Sequence, residues 1–170
     1  MDMRQKAEKI KLLVLDVDGV MTDGRIIYDN FGDEFRAFDV QDGYGLTLWW
    51  RAGLKSAIVT AKKSRIVSRR AKLCHVTKVV MNAKDKNAAY EKLLKVFNLT
   101  DEEVCFVGDD LIDMSAMKRA GLAVAVPYSR PEIKSIAHYT TVAESGRGAI
   151  RELIELILKA QNKWPVQPPA

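Results

Sequence analysis

Apolar residues in this 170-residue chain gather into five short runs: Leu12 to Leu15, Lys55 to Val59, Lys78 to Met81, Val104 to Val107 and Leu122 to Val126. Runs this short, rich in Val, Ile and Leu, read as strands buried on both faces. Between most of them lie stretches with helical spacing, at Tyr44 to Arg51, Ser64 to Leu73, Lys86 to Phe97, Leu111 to Arg119 and Gly148 to Gln161. Strands alternating with helices imply right-handed crossovers, and so a doubly wound, mostly parallel α/β sheet of Rossmann-like form. In such sheets ligands bind at the carboxyl ends of the strands, and those ends select the residues to weigh.

One segment, Gly24 to Gly45, breaks the alternation. Its two short runs, Ile26 to Tyr28 and Glu34 to Phe38, flank "DNFGD" and read as a β-hairpin. The hairpin, at about residues 24–40, projects from the carboxyl edge of the sheet, where it can serve as a flap. It carries Ile26, Ile27, Tyr28, Phe31, Phe35 and Phe38. So much apolar surface is costly in water and predicts contact with another copy of the chain. The rest forms one domain over residues 1–162, and three prolines in residues 163–170 leave that tail without a helix.

Composition narrows the function classes. Apolar content of 48% and charged content of 29% describe an ordinary globular domain. The net charge of +5 is scattered along the chain, which argues for a solvated surface and against a nucleic-acid footprint. Cys74 and Cys105 have no metal-ligand spacing and read as buried free thiols in a reducing cytosol. No apolar stretch of signal or membrane-spanning length occurs, so neither a membrane nor a nucleic-acid partner is expected and the cytoplasm is the expected compartment. His75 and His138 match no motif and read as packed or exposed side chains, while Trp49 and Trp50 extend an apolar helix into core or interface.

The chemistry concentrates at four strand ends. The first run closes on "LDVDGV", where Asp16 and Asp18, two apart, point to one side as a strand leaves the core. Two like charges so close repel unless a proton or a cation lies between them. The second run ends on "VTAKKS", the third leads to Lys86, with Lys84 a near competitor, and the fourth ends on "VGDDLID". Together they bring Asp16, Asp18, Thr60, Lys86, Asp109, Asp110 and Asp113 toward one crevice. A single D-x-D is weak; carboxylates at two parallel strand ends, with a hydroxyl and an amine at two others, are hard to reach by accident.

These four motifs, in this order, resemble the haloacid dehalogenase superfamily of phosphohydrolases. The resemblance implies that Asp16 attacks phosphorus and forms an aspartyl-phosphate, and that Asp18 acts as general acid and then general base. It implies Mg2+ held by Asp16, the backbone carbonyl of Asp18, and Asp109. Thr60 would hydrogen-bond a phosphoryl oxygen, Lys86 would hold both phosphate and nucleophile, and Asp110 and Asp113 would support them. Only 41 positions separate Asp18 from Thr60, and 25 separate Thr60 from Lys86, so neither interval holds a folded cap domain beside the core elements.

Within the superfamily, "DGVMTDGRIIYDNFGDEFRAFDVQDGYG", "GDDLIDMSAMKRAGLAVAV" and "GRGAIRELIELIL" resemble the capless 3-deoxy-D-manno-octulosonate 8-phosphate phosphatases. That resemblance implies hydrolysis of a small acidic sugar phosphate in lipopolysaccharide synthesis by a homotetramer whose subunits cover one another's sites. It carries substrate contacts onto Asp18, Asp39, Val40, Gln41, Asp42, Gly43, Thr47, Lys62, Arg70 and Lys86, and places the turn at Arg147 near an adjacent subunit's site. Three positions depart from the family's text: Gln41 stands in place of an arginine, and Ala61 and Lys62 in place of glycine and arginine. A phosphate of a nine-carbon 2-keto-3-deoxy acid is therefore the alternative substrate, and a catalytically silent oligomerisation module the alternative class. Polynucleotide ends are a third reading, which lacks an aromatic stacking platform and a basic groove.

Overall fold

The computed structural model describes residues 2–165. A short helix α1 (Met3–Glu8) leads into β1 (Leu12–Leu15), followed by the two-residue strands β2 (Ile27–Tyr28) and β3 (Glu34–Phe35). Then come α2 (Val40–Arg51), β4 (Lys55–Val59), α3 (Arg65–Leu73), β5 (Lys78–Val80) and α4 (Lys86–Phe97). The chain closes with β6 (Val104–Val107), α5 (Met114–Met117), β7 (Leu122–Ala125), α6 (Pro131–Ile136), β8 (Tyr139–Thr140) and α7 (Ala149–Ala160).

Six strands form one sheet in the order β5-β4-β1-β6-β7-β8, and every pairing in it is parallel. β2 and β3 pair antiparallel in a separate ribbon, the expected hairpin in shortened form. The intervals that would hold a cap contain only this hairpin with α2 and β4, and α3 with β5.

Alternation along the strands builds two cores. Leu13, Leu15, Ile58, Cys105 and Val107 face α1, α2, α3 and α7, whereas Leu12, Val14, Ala57, Val59, Val104 and Phe106 face α4, α5 and α6. Burial on both faces is why these runs carry almost no polar residues. The sheet winds outward from β1 in both directions, through β4 to β5 and through β6 to β8, so its switch point lies between β1 and β6.

Several boundaries moved. α2 begins at Val40, four residues before Tyr44, because the Asp39 carboxylate caps it by accepting from the Asp42 amide at 2.9 Å. The stretch expected to form one helix from Leu111 to Arg119 is instead a 3-10 turn at Leu111–Asp113 followed by α5. α6, opened by Pro131 at its first turn, and the two-residue β8 were not foreseen, nor was α1. Of the tail expected to be loose, Trp164 packs on α7, with Arg151 at 5.3 Å and Lys159 at 5.5 Å from its ring. Residues 166–170 of that tail lie outside the described residues.

Candidate active site

The carboxyl ends of β1, β4 and β6 and the start of α4 converge on a cavity of about 180 Å3 lined by Asp16, Asp18, Thr60, Ala61, Lys62, Lys86, Asp109, Asp110 and Ile112. It opens at the switch point between β1 and β6. Lys86, the first residue of α4, lies buried beneath it, and its Nζ contacts Asp16 Oδ1 at 2.7 Å and Asp113 Oδ1 at 2.5 Å. Lys84 is exposed and lines a different hollow. Asp113 has both oxygens engaged, because Oδ2 accepts from the amides of Asp109 at 3.1 Å and Asp110 at 3.3 Å. That arrangement explains the 3-10 turn: the Asp113 carboxylate folds back over the end of β6 to support the loop, in keeping with the supporting role expected of it.

Carboxylate oxygens of Asp16, Asp109 and Asp113 all lie within 4.8 Å of one another. Burial pushes the Asp16 carboxyl up to about 6, against the pull of Lys86. Burial, with the charges of Asp16 and Asp113 added, pushes Asp109 up to about 7. Lys86 stays charged: burial opposes its ammonium, but the flanking Asp16 and Asp113 outweigh that and raise it above the usual lysine value. One buried ammonium thus faces three acids. With Asp113 occupied by Lys86 and two amides, Asp16 and Asp109 are the side chains left to offer oxygens to a hard divalent cation, and the cluster fits one.

The loop after β1 is knotted by Thr22, which is fully buried. Its hydroxyl donates to the Val17 carbonyl at 3.4 Å and accepts from the amides of Gly19 at 3.3 Å and Gly24 at 3.2 Å. Gly19 has φ +91°, and a Cβ there would run into the Asp109 carboxylate. We expect Gly19→Ala to destabilise the fold by about 1–3 kcal/mol through backbone strain alone. Phosphate release should fall on the order of 100-fold as Asp109 is displaced. Urea unfolding and steady-state assays of the purified variant would measure both.

Thr60 is buried at the end of β4, its Oγ1 accepting from the Lys62 amide at 3.4 Å, while Lys62 is exposed at the cavity rim. Asp18 also lines the cavity, with its carboxylate directed to Arg36 of the hairpin limb, 3.3 Å away. Asp110 caps the 3-10 turn and is exposed.

The other expected contacts form a second group, away from this cavity. Arg70 donates to the Asp39 carbonyl and lies over the Phe38 ring at 5.5 Å. Asp42 is buried and accepts from the amides of Arg151 at 2.9 Å and Gly148 at 3.3 Å, capping α7. Burial pushes its carboxyl up to about 6. Thr47 donates to the Gly43 carbonyl at 3.2 Å, and Val40 and Gln41 are exposed. Within one chain this group joins α2, α3 and α7, and none of its residues lines the cavity at Asp16. Gly146, at φ +64°, packs against Thr22 and Asp23 and brings the turn carrying Arg147 beside the loop that follows β1. His138 accepts from the Ala123 amide, and His75 stacks on Trp50, so neither histidine enters the site. Trp49 is buried and Trp50 is half exposed.

Comparison with known proteins agrees with the fold. A family model of haloacid dehalogenase-like hydrolases matches residues 57–153. The chain is 42% identical, over 162 residues, to the 3-deoxy-D-manno-octulosonate 8-phosphate phosphatase of Yersinia pestis, covering 95% of this chain and 87% of that one. The chain belongs to the haloacid dehalogenase-like hydrolases. A crystal structure of the Moraxella catarrhalis 3-deoxy-D-manno-octulosonate 8-phosphate phosphatase with magnesium, phosphate and KDO superposes with a TM-score of 0.93 at 40% identity, covering 95% of this chain and 92% of that one. The cobalt-bound phosphatase of Haemophilus influenzae superposes with a TM-score of 0.90 at 33% identity, covering 94% and 93%. Among the described residues of this chain no helix is long and apolar enough to cross a membrane.

Proposed function

We propose that this hydrolase is a magnesium-dependent phosphatase that converts 3-deoxy-D-manno-octulosonate 8-phosphate to the free sugar acid and phosphate. One observation carries the reading: Asp16, at a parallel-sheet switch point, is held by the buried Lys86 beside the unpaired carboxylate of Asp109. A carboxylate approaching a phosphate dianion is repelled by roughly 1 kcal/mol per unit-charge pair in water and about 4 kcal/mol near a protein surface. Magnesium at Asp16, Asp109 and the Asp18 carbonyl would neutralise phosphoryl charge and orient the phosphate.

The chain's own residues do the rest. Lys86 aims Asp16 Oδ1 and adds positive charge, and the Thr60 hydroxyl donates to a phosphoryl oxygen. Asp16 forms a bond to phosphorus as the bond to the sugar oxygen breaks, and Asp18 gives its proton to that oxygen. Asp18 then takes a proton from water, which attacks phosphorus and frees Asp16.

The hairpin exposes Ile27, Tyr28, Phe31 and Phe35, with Phe31 93% exposed. This supports a homotetramer in which neighbouring copies cover the open cavity, and in which the group around Asp39, Gln41, Gly43 and Arg70 meets substrate across an interface. A cytoplasmic enzyme of lipopolysaccharide synthesis follows from the same reading. The test is phosphate release with magnesium from eight- and nine-carbon keto-deoxy sugar phosphates, the latter because Gln41 and Lys62 replace arginines. Preference for the eight-carbon ester is expected; turnover confined to an aryl phosphate would contradict the assignment.

A second test reads the ion without turnover. Asp16 and Asp109 titrate above the ordinary carboxylate value, so their charge costs nothing below that range and the cost is fully present above about pH 7. An ion that needs both ionised removes that cost. We expect magnesium to raise Tm by several degrees at about pH 8 and by much less at about pH 5. Equal shifts at both would contradict the site.

A further inference from the structure

Arg36 follows β3 on the limb of the hairpin that returns toward α2. Its side chain is wholly buried, although Phe35 and Ala37 on either side are exposed. The guanidinium Nε lies 3.3 Å from Asp18 Oδ1 and 2.9 Å from Glu34 Oε1. Neither contact has hydrogen-bond geometry, and among the described residues Nη1 and Nη2 have no hydrogen-bond partner. Taking a guanidinium out of water is expensive, and an apolar side chain of similar length would fill the space without that penalty. What only a cation supplies is attraction between two carboxylates, one on the hairpin and one in the cavity.

We propose that Arg36 is a positioning residue for Asp18, tying the hairpin to the carboxylate that transfers the proton and holding that carboxylate in a single orientation at the cavity. The proposal rests on the role given to Asp18 above. When the P–O bond to the sugar breaks, the Asp18 O–H bond breaks with it and the proton passes to the leaving oxygen. Arg36 makes and breaks no bond. Without it, Asp18 can turn and Glu34 is left as an unpaired neighbour, so the proton donor spends less time in line with the leaving oxygen.

Leaving-group chemistry separates this role from simple support of the fold. A sugar alcohol must be protonated as it leaves, whereas a nitrophenolate departs readily as an anion. Both substrates pass through the same phosphorylated Asp16, and kcat/KM reports only the steps up to its formation. The experiment compares kcat/KM for 3-deoxy-D-manno-octulosonate 8-phosphate, glycerol phosphate and a nitrophenyl phosphate in the full-length wild type, Arg36→Met and Arg36→Lys.

For Arg36→Met we expect about a 10- to 100-fold loss on the alkyl phosphates. The loss on the aryl phosphate should stay below about threefold. Arg36→Lys, whose ammonium is too short to span both acids, should show the same bias in smaller measure. The alkyl-to-aryl ratio does not depend on the fraction of protein folded, so either variant decides the matter. Equal losses on both substrate types overturn the proposal. A wild type that releases phosphate from none of the three overturns instead the phosphatase reading on which it rests.

Discussion

Asp16→Asn is expected to lower phosphate release on the order of 1,000-fold or more, because an amide oxygen is a far weaker nucleophile than a carboxylate. The fold should tolerate the change. The asparagine oxygen can still accept from Lys86, which lies 2.7 Å from Asp16 in the native protein. Burial already disfavours the charge on Asp16, and Asp109 and Asp113 stand within 4.8 Å, so a neutral side chain relieves repulsion. Melting at about pH 8 should therefore give a Tm equal to or above that of the wild type. Retention of more than a few per cent of activity would rule out covalent catalysis by Asp16.

Lys86→Met should be damaging in both respects. Activity falls on the order of 100- to 1,000-fold as the nucleophile loses the group that aims it and the phosphate loses a cation. Stability falls by about 3–5 kcal/mol, the typical effect of removing one partner from a buried ion pair. Lys86 titrates above the ordinary lysine value, so its contribution is fully present below that value and is lost as pH rises through the higher folded one. The destabilisation also depends on the acids left behind. Without Lys86 the pull that lowers Asp16 is gone, so ionised carboxylates weigh most on the variant at neutral to alkaline pH. Urea titrations of Lys86→Met and wild type at about pH 5 and pH 8 should show the larger difference at pH 8. A variant as stable as wild type at both would mean that Asp16 and Asp113 do not depend on Lys86.

The sheet was readable because β1, β6 and β7 are buried along their whole length and carry unbroken apolar runs, and β4 ends on the buried apolar Ala57 to Val59. β8 was not readable: two residues, Tyr139 and Thr140, at a sheet edge carry no period. Lys86 stood out from Lys84 only in three dimensions, since both follow the same strand and only the first residue of α4 points under the cavity. Asp113 was placed among supporting residues, but not as a direct partner of Lys86, because acids at the start of helices are common for reasons of dipole alone. Arg36 left no signal at all. Its burial depends on how the hairpin folds back over the loop after β1, a contact that spacing in the chain does not encode. The stretch from Asp39 to Gly43 shows the reverse case: it matched a motif, yet in one chain its polar groups serve α2 and α7.

Trapping the phosphorylated enzyme tests the central claim most directly. The protein would be mixed with magnesium and a phosphate ester and quenched with borohydride, which reduces an acyl phosphate to an alcohol. Peptide mass analysis should then find homoserine in place of Asp16 and nowhere else. Steady turnover with Asp16 intact, or with the alcohol at another carboxylate, would contradict the account.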